Sequence, residues 1–360
     1  MTIRAFGGPH RYVQGPGALS ELASLVPIYG RRPFIVADVA VVGLRDQLSA
    51  LLHPCVDGLE FAEFSGECSA NQIDTMAAKA AAVNSDVIIA IGGGKAIDTA
   101  KGVRILRGGA IIVVPTVASN DAPTSRLAIV YTDDHILKEV RLMPTNPDAV
   151  VVDTSIIARA PRRFFVAGIG DALSKKFEAE QCFNSGGMNF YKARPAGLAV
   201  SIADQCYQVI RRDAIASLAA VDRKEPDASF ENVVEATILL SGLGFESGGL
   251  SIAHSLTRGF SAIPSLNSSL HGEQVAFGLL TQLYLEQRPE GFLVDMVAFY
   301  QAIGLPTSLK DLGFSGNAEE GIRTIAERSI AEAPYLKQFV GDVTLQSLMA
   351  ALVAADRCAS

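Results

Sequence analysis

The chain has no tryptophan, five histidines, five cysteines and only 7% aromatic residues in a length of 360. Each shortage narrows what the protein can be. Cys55, Cys68, Cys182, Cys206 and Cys358 are odd in number and widely spaced, so reduced thiols and a cytoplasmic location are expected rather than a disulfide framework. Lysine and arginine are scattered and the formal net charge is −7, which leaves no expected footprint for nucleic acid or an anionic membrane. No apolar run reaches membrane-spanning length. Gly7, Gly8 and Pro9 interrupt the start before the apolar core of a signal peptide could form. Small molecules and further copies of this chain are the partners left.

Apolar residues, by contrast, are plentiful. They make up 49% of the chain, and a mean hydropathy of +0.27 is high without a membrane span, so some apolar surface is expected to be covered in a homo-oligomer. A chain of 360 residues exceeds the size at which one core keeps growing, so two domains are expected. From Arg32 to about Val152, the short β-branched runs PFIVAD, GLEFAEF, DVIIAI, AIIVVP and AVVVD alternate with helical stretches such as SANQIDTMAAKAAAVN and KAIDTAKGVRI. Strands that are apolar throughout and joined by helices belong to a parallel sheet covered on both faces. Beyond Pro161 the segments DALSKKFEAEQCF, ARPAGLAVSIADQCYQVIRRDAIASLAAV, FENVVEATILLSGLGF and TLQSLMAALVAADRC carry helical periodicity. The expected architecture is an α/β domain over residues 1–160 followed by an all-α domain over 161–360.

Three features carry chemistry. In DVIIAIGGGKAIDTAK, Gly92, Gly93 and Gly94 separate a buried strand from a helix. Glycines there let the backbone approach a pyrophosphate, and the helix N-terminus offers free N–H groups; a turn for tight strand-to-helix packing is the plain alternative. Asp38 closes the strand PFIVAD, where a carboxylate can accept hydrogen bonds from a ribose or simply cap the next helix. The loop VPTVASNDAPTSR gathers Thr116, Ser119, Asn120, Asp121, Thr124 and Ser125 after another strand, at the sheet edge where ligands bind. Two histidines, His254 and His271, flank a bend marked by Pro264, Asn267, Ser268 and Ser269 in what reads as helix, bend, helix. Such a bend can turn two imidazoles towards one metal ion; two ordinary helix-end histidines are the alternative.

GGGKAIDTAK, VPTVASNDAPTS, GIGDALSKKFEA and the segments ending in AHSL and HGEQVAFG together resemble the glycerol dehydrogenases, within the superfamily of iron-containing alcohol dehydrogenases and dehydroquinate synthase. The likeness runs along nearly the whole chain. It implies the dehydroquinate synthase-like fold, a cytoplasmic homo-oligomer (an octamer in the family), NAD as cofactor, and a divalent metal in the cleft between the domains. The metal ligands would be Asp171, His254 and His271, with zinc favoured over Fe(II). Asp171 alone reads as a helix N-cap after Gly168 and Gly170. Asp38 would hold the adenosine ribose, Gly93, Gly94 and Lys95 the pyrophosphate, and Asp98, Thr116, Ser119, Ser125, Leu127 and Tyr131 the rest of the dinucleotide. Asp121 would reach the substrate.

The expected reaction is reversible oxidation of glycerol, or another vicinal diol, by NAD. A hydroxycarboxylic acid as substrate and a lyase of the dehydroquinate synthase kind are the alternatives. The chain departs from the family pattern near the substrate: Arg126 replaces a small residue, Thr257 and Arg258 replace a His-Asn pair, and SLNSS fills a bend where aromatic and histidine residues are frequent. At the position where the iron-type enzymes carry a further histidine, this chain has Lys175.

Overall fold

The computed structural model describes residues 2–132 and 137–358. The chain forms two compact units: Gly8–Pro161 with Ala220–Gly242, and Met1–Gly7 with Arg162–Ala219 and Leu243–Ser360. Residues 1–7 and 220–242 thus each pack with the unit built mainly by the other half of the chain, an exchange that no local sequence pattern announces.

The first unit is organised by a six-stranded parallel sheet. Its strands are β1 (Tyr12–Gly15), β2 (Pro33–Asp38), β3 (Glu60–Phe64), β4 (Val87–Gly92), β5 (Ala110–Pro115) and, after the antiparallel hairpin β6 (Leu127–Tyr131) and β7 (Leu137–Leu142), β8 (Ala149–Asp153). The spatial order is β1-β8-β5-β4-β2-β3. All six residues of β4 and all five of β8 are buried, as continuous Val, Ile and Ala runs require when helices cover both faces. Two of the covering helices are α1 (Ala70–Ala82), capped by the Ser69 hydroxyl accepting from Gln72 N, and α2 (Gly94–Arg107). The edge strand β1 and the hairpin lie outside the five strands legible in the sequence. Tyr12–Gly15 is four residues long and ends in glycine, too short for a periodic signal.

Register decides what meets at the carboxyl edge. Gly92 pairs with Pro115 and Ala37 with Ile91, so Asp38, the glycine turn and the loop after Pro115 emerge side by side. Gly92 sits at φ 153°, and a Cβ there would come within 2.8 Å of Asp38 Cβ and 2.9 Å of Ala96 Cβ. The glycine is required by this close packing as well as by its backbone angle.

Among the described residues the second unit is helical apart from a two-residue parallel pairing of Arg4–Ala5 with Arg194–Pro195. Its central helices are α3 (Arg162–Ser185), α4 (Ile252–Phe260) and α5 (His271–Leu285), with a 3₁₀ turn at Pro264–Leu266 making the bend between the last two. Glycine sets their separation. A Cβ on Gly272 would overlap the carbonyl of Ala167 in α3, one on Gly170 would meet Gly272 O at 2.6 Å, and one on Gly278 would meet Ala253 O at 2.6 Å. Backbone therefore packs on backbone, drawing side chains at the helix starts onto one point. Among the described residues no single helix is long and apolar enough to cross a membrane.

Candidate active site

Asp171, His254 and His271 each present one ligand atom, and these atoms lie within 4.8 Å of one another. Asp171 does not cap a helix, contrary to expectation. It lies ten residues into α3, where Gly170 serves close packing against α5 and Gly168 is buried inside the helix. His254 falls in the first turn of α4, because the helix begins only at Ile252. His271 is the first residue of α5, and that start is pinned by Glu273, which accepts from Leu270 N at 2.7 Å and is gripped by Arg163 at 2.6 and 2.7 Å. The two imidazole centroids are 5.4 Å apart.

Glu178, absent from the sequence-based set, completes the arrangement. It is fully buried on α3, about two turns beyond Asp171, and its Oε2 accepts from His254 Nδ1 at 2.5 Å. Its Oε1 accepts from the backbone N–H of Ser251 at 2.8 Å and of His254 at 3.0 Å. A carboxylate holding Nδ1–H leaves the Nε2 lone pair for a ligand. The signal in the sequence was the i, i+7 spacing of Asp171 and Glu178 on one helical face.

Lys175 does not stand aside either. Its Nζ donates to Asp171 Oδ1 at 2.5 Å and to His254 Nε2 at 3.1 Å, and it lies 5.5 Å from the centroid of the Phe245 ring. Burial would raise the Asp171 pKa, but Lys175, His254 and His271 outweigh it and hold the carboxyl below its usual range. Burial likewise opposes ionisation of Glu178, and the His254 charge and hydrogen bonds bring it below the ordinary value. Burial lowers His254, but the Glu178 charge together with hydrogen bonds to Asp171 and Glu178 brings it above the usual imidazole value. His271 keeps a face open to solvent, yet crowding by the surrounding protein, aided by His254 and Lys175, pushes it down to about 4. A neutral imidazole at neutral pH is the form that can donate a lone pair.

The donor set fits a divalent metal on a further observation. Asp171 Oδ2 is buried with no hydrogen-bond partner, an orphaned carboxylate oxygen beside two imidazoles. An unsatisfied buried oxygen is costly, and a coordinated cation removes that cost.

In the α/β unit, α2 begins at Gly94 with no side chain capping its N-terminus. A Cβ on Gly94 would come within 3.0 Å of Asn120 Nδ2, and one on Gly93 within 3.4 Å of a Val117 methyl. The open N–H groups and the absent side chains suit a phosphate. Asp38 Oδ1 accepts from Ala40 N at 2.9 Å, so the plain capping reading of this residue holds as well. Lys95 pairs with Glu67 at 2.8 Å while its side chain stays half exposed. Thr116 is buried beside the glycine turn, its N–H donating to Gly92 O at 3.1 Å, and Ser119 is half-buried further along the loop.

Lys101 ties the second loop together and was missed in the sequence. Fully buried, its Nζ donates to Leu127 O at 2.5 Å, Ala122 O at 2.7 Å, Ser125 Oγ at 3.3 Å and Asp98 Oδ1 at 3.3 Å. Asp98 Oδ2 in turn accepts from Ile129 N at 3.1 Å, and burial raises the Asp98 pKa above the ordinary carboxylate value. Both oxygens of Asp98 are thus engaged within the protein, holding β6 where Leu127 and Tyr131 lie; Tyr131 N donates to Cys68 O at 2.8 Å. The i, i+3 spacing of Asp98 and Lys101 in KAIDTAK was the available clue. Asp121 Oδ2 accepts from Ser241 Oγ at 2.6 Å, and Thr124 Oγ1 donates to Ile238 O at 3.1 Å, across the π-helical turn Ala236–Leu240.

Comparison with known proteins decides the family. Residues 9–154 match the model of the iron-containing alcohol dehydrogenases. A glycerol dehydrogenase of Escherichia coli O6:H1 is 37% identical over 357 residues, covering 98% of this chain and 97% of that protein. This chain belongs to the iron-containing alcohol dehydrogenase family. Like that family, it is an oxidoreductase acting on CH–OH groups. A glycolaldehyde reductase of Halobacterium salinarum is 36% identical over 98% of this chain and 96% of its own. The crystal structure of a probable glycerol dehydrogenase from Sinorhizobium meliloti 1021 superposes with a TM-score of 0.92 at 38% identity, covering 98% of both chains.

Proposed function

We propose that this family member oxidises glycerol to dihydroxyacetone, reversibly, with NAD as hydride acceptor and one divalent metal held by Asp171, His254 and His271. The convergence of one ligand atom from each of these three residues carries the reading, with the orphaned Asp171 Oδ2 and the glycerol dehydrogenases among the relatives in support. When bound, the metal supplies Lewis-acid polarisation of a substrate hydroxyl and the nicotinamide accepts hydride. Glu178 keeps His254 in the tautomer that offers Nε2. The N-terminus of α2 and the side-chain-free Gly93 and Gly94 hold the pyrophosphate, Lys95 adds charge beside it, and Asp38 accepts from the adenosine ribose. Asp98, Thr116, Ser119, Ser125, Leu127 and Tyr131 shape the remaining dinucleotide site, with Lys101 and Asp98 fixing the loop from within. Asp121, oriented by Ser241, accepts a hydrogen bond from a substrate hydroxyl. Two imidazoles and one carboxylate suit zinc, the metal proposed, although Fe(II) accepts the same set.

A 2′-phosphate would meet Asp38 with like charge. About 4 kcal/mol of repulsion at ~4 Å and an effective dielectric of 20 is the upper bound, so NAD is preferred to NADP. A cytoplasmic homo-oligomer accompanies this reading, supported by free cysteines and by exposed Ile3, Met188, Leu198, Ile215 and Val294 in the helical unit. The test is NADH formation from glycerol together with metal analysis. The parent should reduce NAD in proportion to bound metal, and His271→Ala should lose both metal and turnover while staying folded. Full metal content or parental turnover in that variant overturns the ligand assignment.

A further inference from the structure

The helix α3 brings three charged residues to one face: Asp171, Lys175 and Glu178, at i, i+4 and i+7. All three side chains are buried, Lys175 with 1% of its side chain exposed. A buried ammonium ion has to be paired, and here its partners belong to two of the three residues that a metal would use. One is Asp171 Oδ1, at 2.5 Å. The other is His254 Nε2, at 3.1 Å, on the nitrogen that Glu178 leaves free of hydrogen. The second oxygen, Asp171 Oδ2, is buried with no hydrogen-bond partner.

The charge count points the same way. Asp171 and Glu178 contribute two negative charges, and Lys175 cancels one of them. A divalent ion entering with the ammonium in place would be repelled at close range. It would also find the His254 Nε2 lone pair already engaged in a hydrogen bond. Without the lysine, the same shell would hold two carboxylates, two imidazoles and no cation.

We propose that Lys175 is a resident cation of this site, competing with the divalent metal for Asp171 and His254. Metal uptake is then an exchange: the ammonium leaves Oδ1 and Nε2 as the metal arrives. The exchange has two consequences. Metal affinity is lower than the ligand set alone would give, and the metal-free protein keeps its buried carboxylate paired, so it tolerates loss of metal. The inference rests on the metal reading proposed above, which is why its test measures binding and stability rather than turnover.

The experiment compares full-length parent with Lys175→Leu, which has no ligating atom and no charge, after stripping both with chelator. Zinc titration against a chromophoric competitor should give a dissociation constant roughly a hundredfold lower for the variant. Stripping should depress the melting temperature of Lys175→Leu by several degrees more than that of the parent. Dissociation constants equal within threefold, or equal melting shifts, overturn the exchange while leaving the metal reading intact. Absence of zinc binding in both proteins overturns the metal reading and this inference with it. Should the leucine variant not fold, Lys175→Thr replaces it. The zinc-loaded parent gives an independent answer by crystallography. Lys175 Nζ should then lie beyond hydrogen-bonding distance of His254 Nε2, and an unmoved lysine beside bound zinc overturns the proposal.

Discussion

Glu178 Oε2 lies 2.5 Å from His254 Nδ1, and the opposite carboxylate oxygen binds the N–H groups of Ser251 and His254. One buried side chain therefore fixes the start of a helix and the tautomer of a candidate ligand. Carboxylates behind metal-bound histidines are worth about 10- to 100-fold in metal affinity or activity. Glu178→Gln, which keeps the shape but can no longer serve as a full acceptor, should weaken zinc binding by about that factor. Glu178→Asp should recover little, because the shorter arm cannot reach both the ring and the backbone. Chelator competition on the purified variants checks this, and a Glu178→Gln affinity equal to that of the parent removes the positioning role.

The approach of α3 and α5 depends on Gly272. A Cβ there would overlap the Ala167 carbonyl, a backbone atom that cannot rotate away. Gly272→Ala should force the helices apart at a cost of about 3 kcal/mol, the upper part of the usual overpacking range. Urea unfolding of the stripped proteins measures the loss directly. Because His271 is the adjacent residue, the same substitution should also weaken metal binding. A variant as stable as the parent would show that the helices are free to slide.

How much of this was legible follows from the range of each signal. The five apolar strands, the glycine turn and the helix-bend-helix around His254 and His271 are local patterns, and they were readable. Family likeness pointed to Asp171, yet its local context suggested a cap, since two preceding glycines look like a helix start unless the packing of Gly170 on Gly272 is known. Lys101, Glu178 and Ser241 escaped because each acts through residues on other elements: Lys101 through carbonyls at 122 and 127, Glu178 through His254, Ser241 through Asp121. Lys175 was visible as a departure, but only the fold shows that it touches two candidate ligands.

The thiols give a pH-dependent test that is independent of the metal. Burial pushes Cys68 and Cys182 up to about 12, with the nearby Asp98 and Glu178 carboxylates acting in the same direction. A raised thiol pKa means that the reactive thiolate stays scarce. At pH 8.5 it is on the order of one in several thousand, against about half for a free cysteine. Alkylation of the native protein should therefore leave Cys68 and Cys182 unmodified between pH 7 and 8.5, and denaturation should expose both. Peptide mass spectrometry reads the outcome at each site, and rapid native labelling of either one contradicts its burial.

The substrate is tested through two arginines, Arg126 and Arg258. Arg126 stands at the end of the loop that carries Asp121, and Arg258 lies in the last turn of α4, the helix that presents His254. Chelation of a metal needs neighbouring oxygens, so glycerol, 1,2-propanediol and 2,3-butanediol should all outperform 2-propanol in kcat/KM. The advantage should widen at alkaline pH, where alkoxide forms more readily. An arginine facing the substrate makes the opposite demand, because its planar fork pairs with a carboxylate through two parallel hydrogen bonds. A short 2-hydroxy acid would then lead the series. The decisive comparison is kcat/KM for glycerol, 2-propanol and that acid in the parent, Arg126→Ala and Arg258→Ala. The glycerol reading expects the diol to lead in all three proteins, with the arginine variants changing its efficiency less than tenfold, the size of one modest polar contact. If the acid leads in the parent and loses its lead in one arginine variant alone, that arginine is the carboxylate receptor. The substrate would then be a hydroxy acid, with the fold and the metal ligands unchanged.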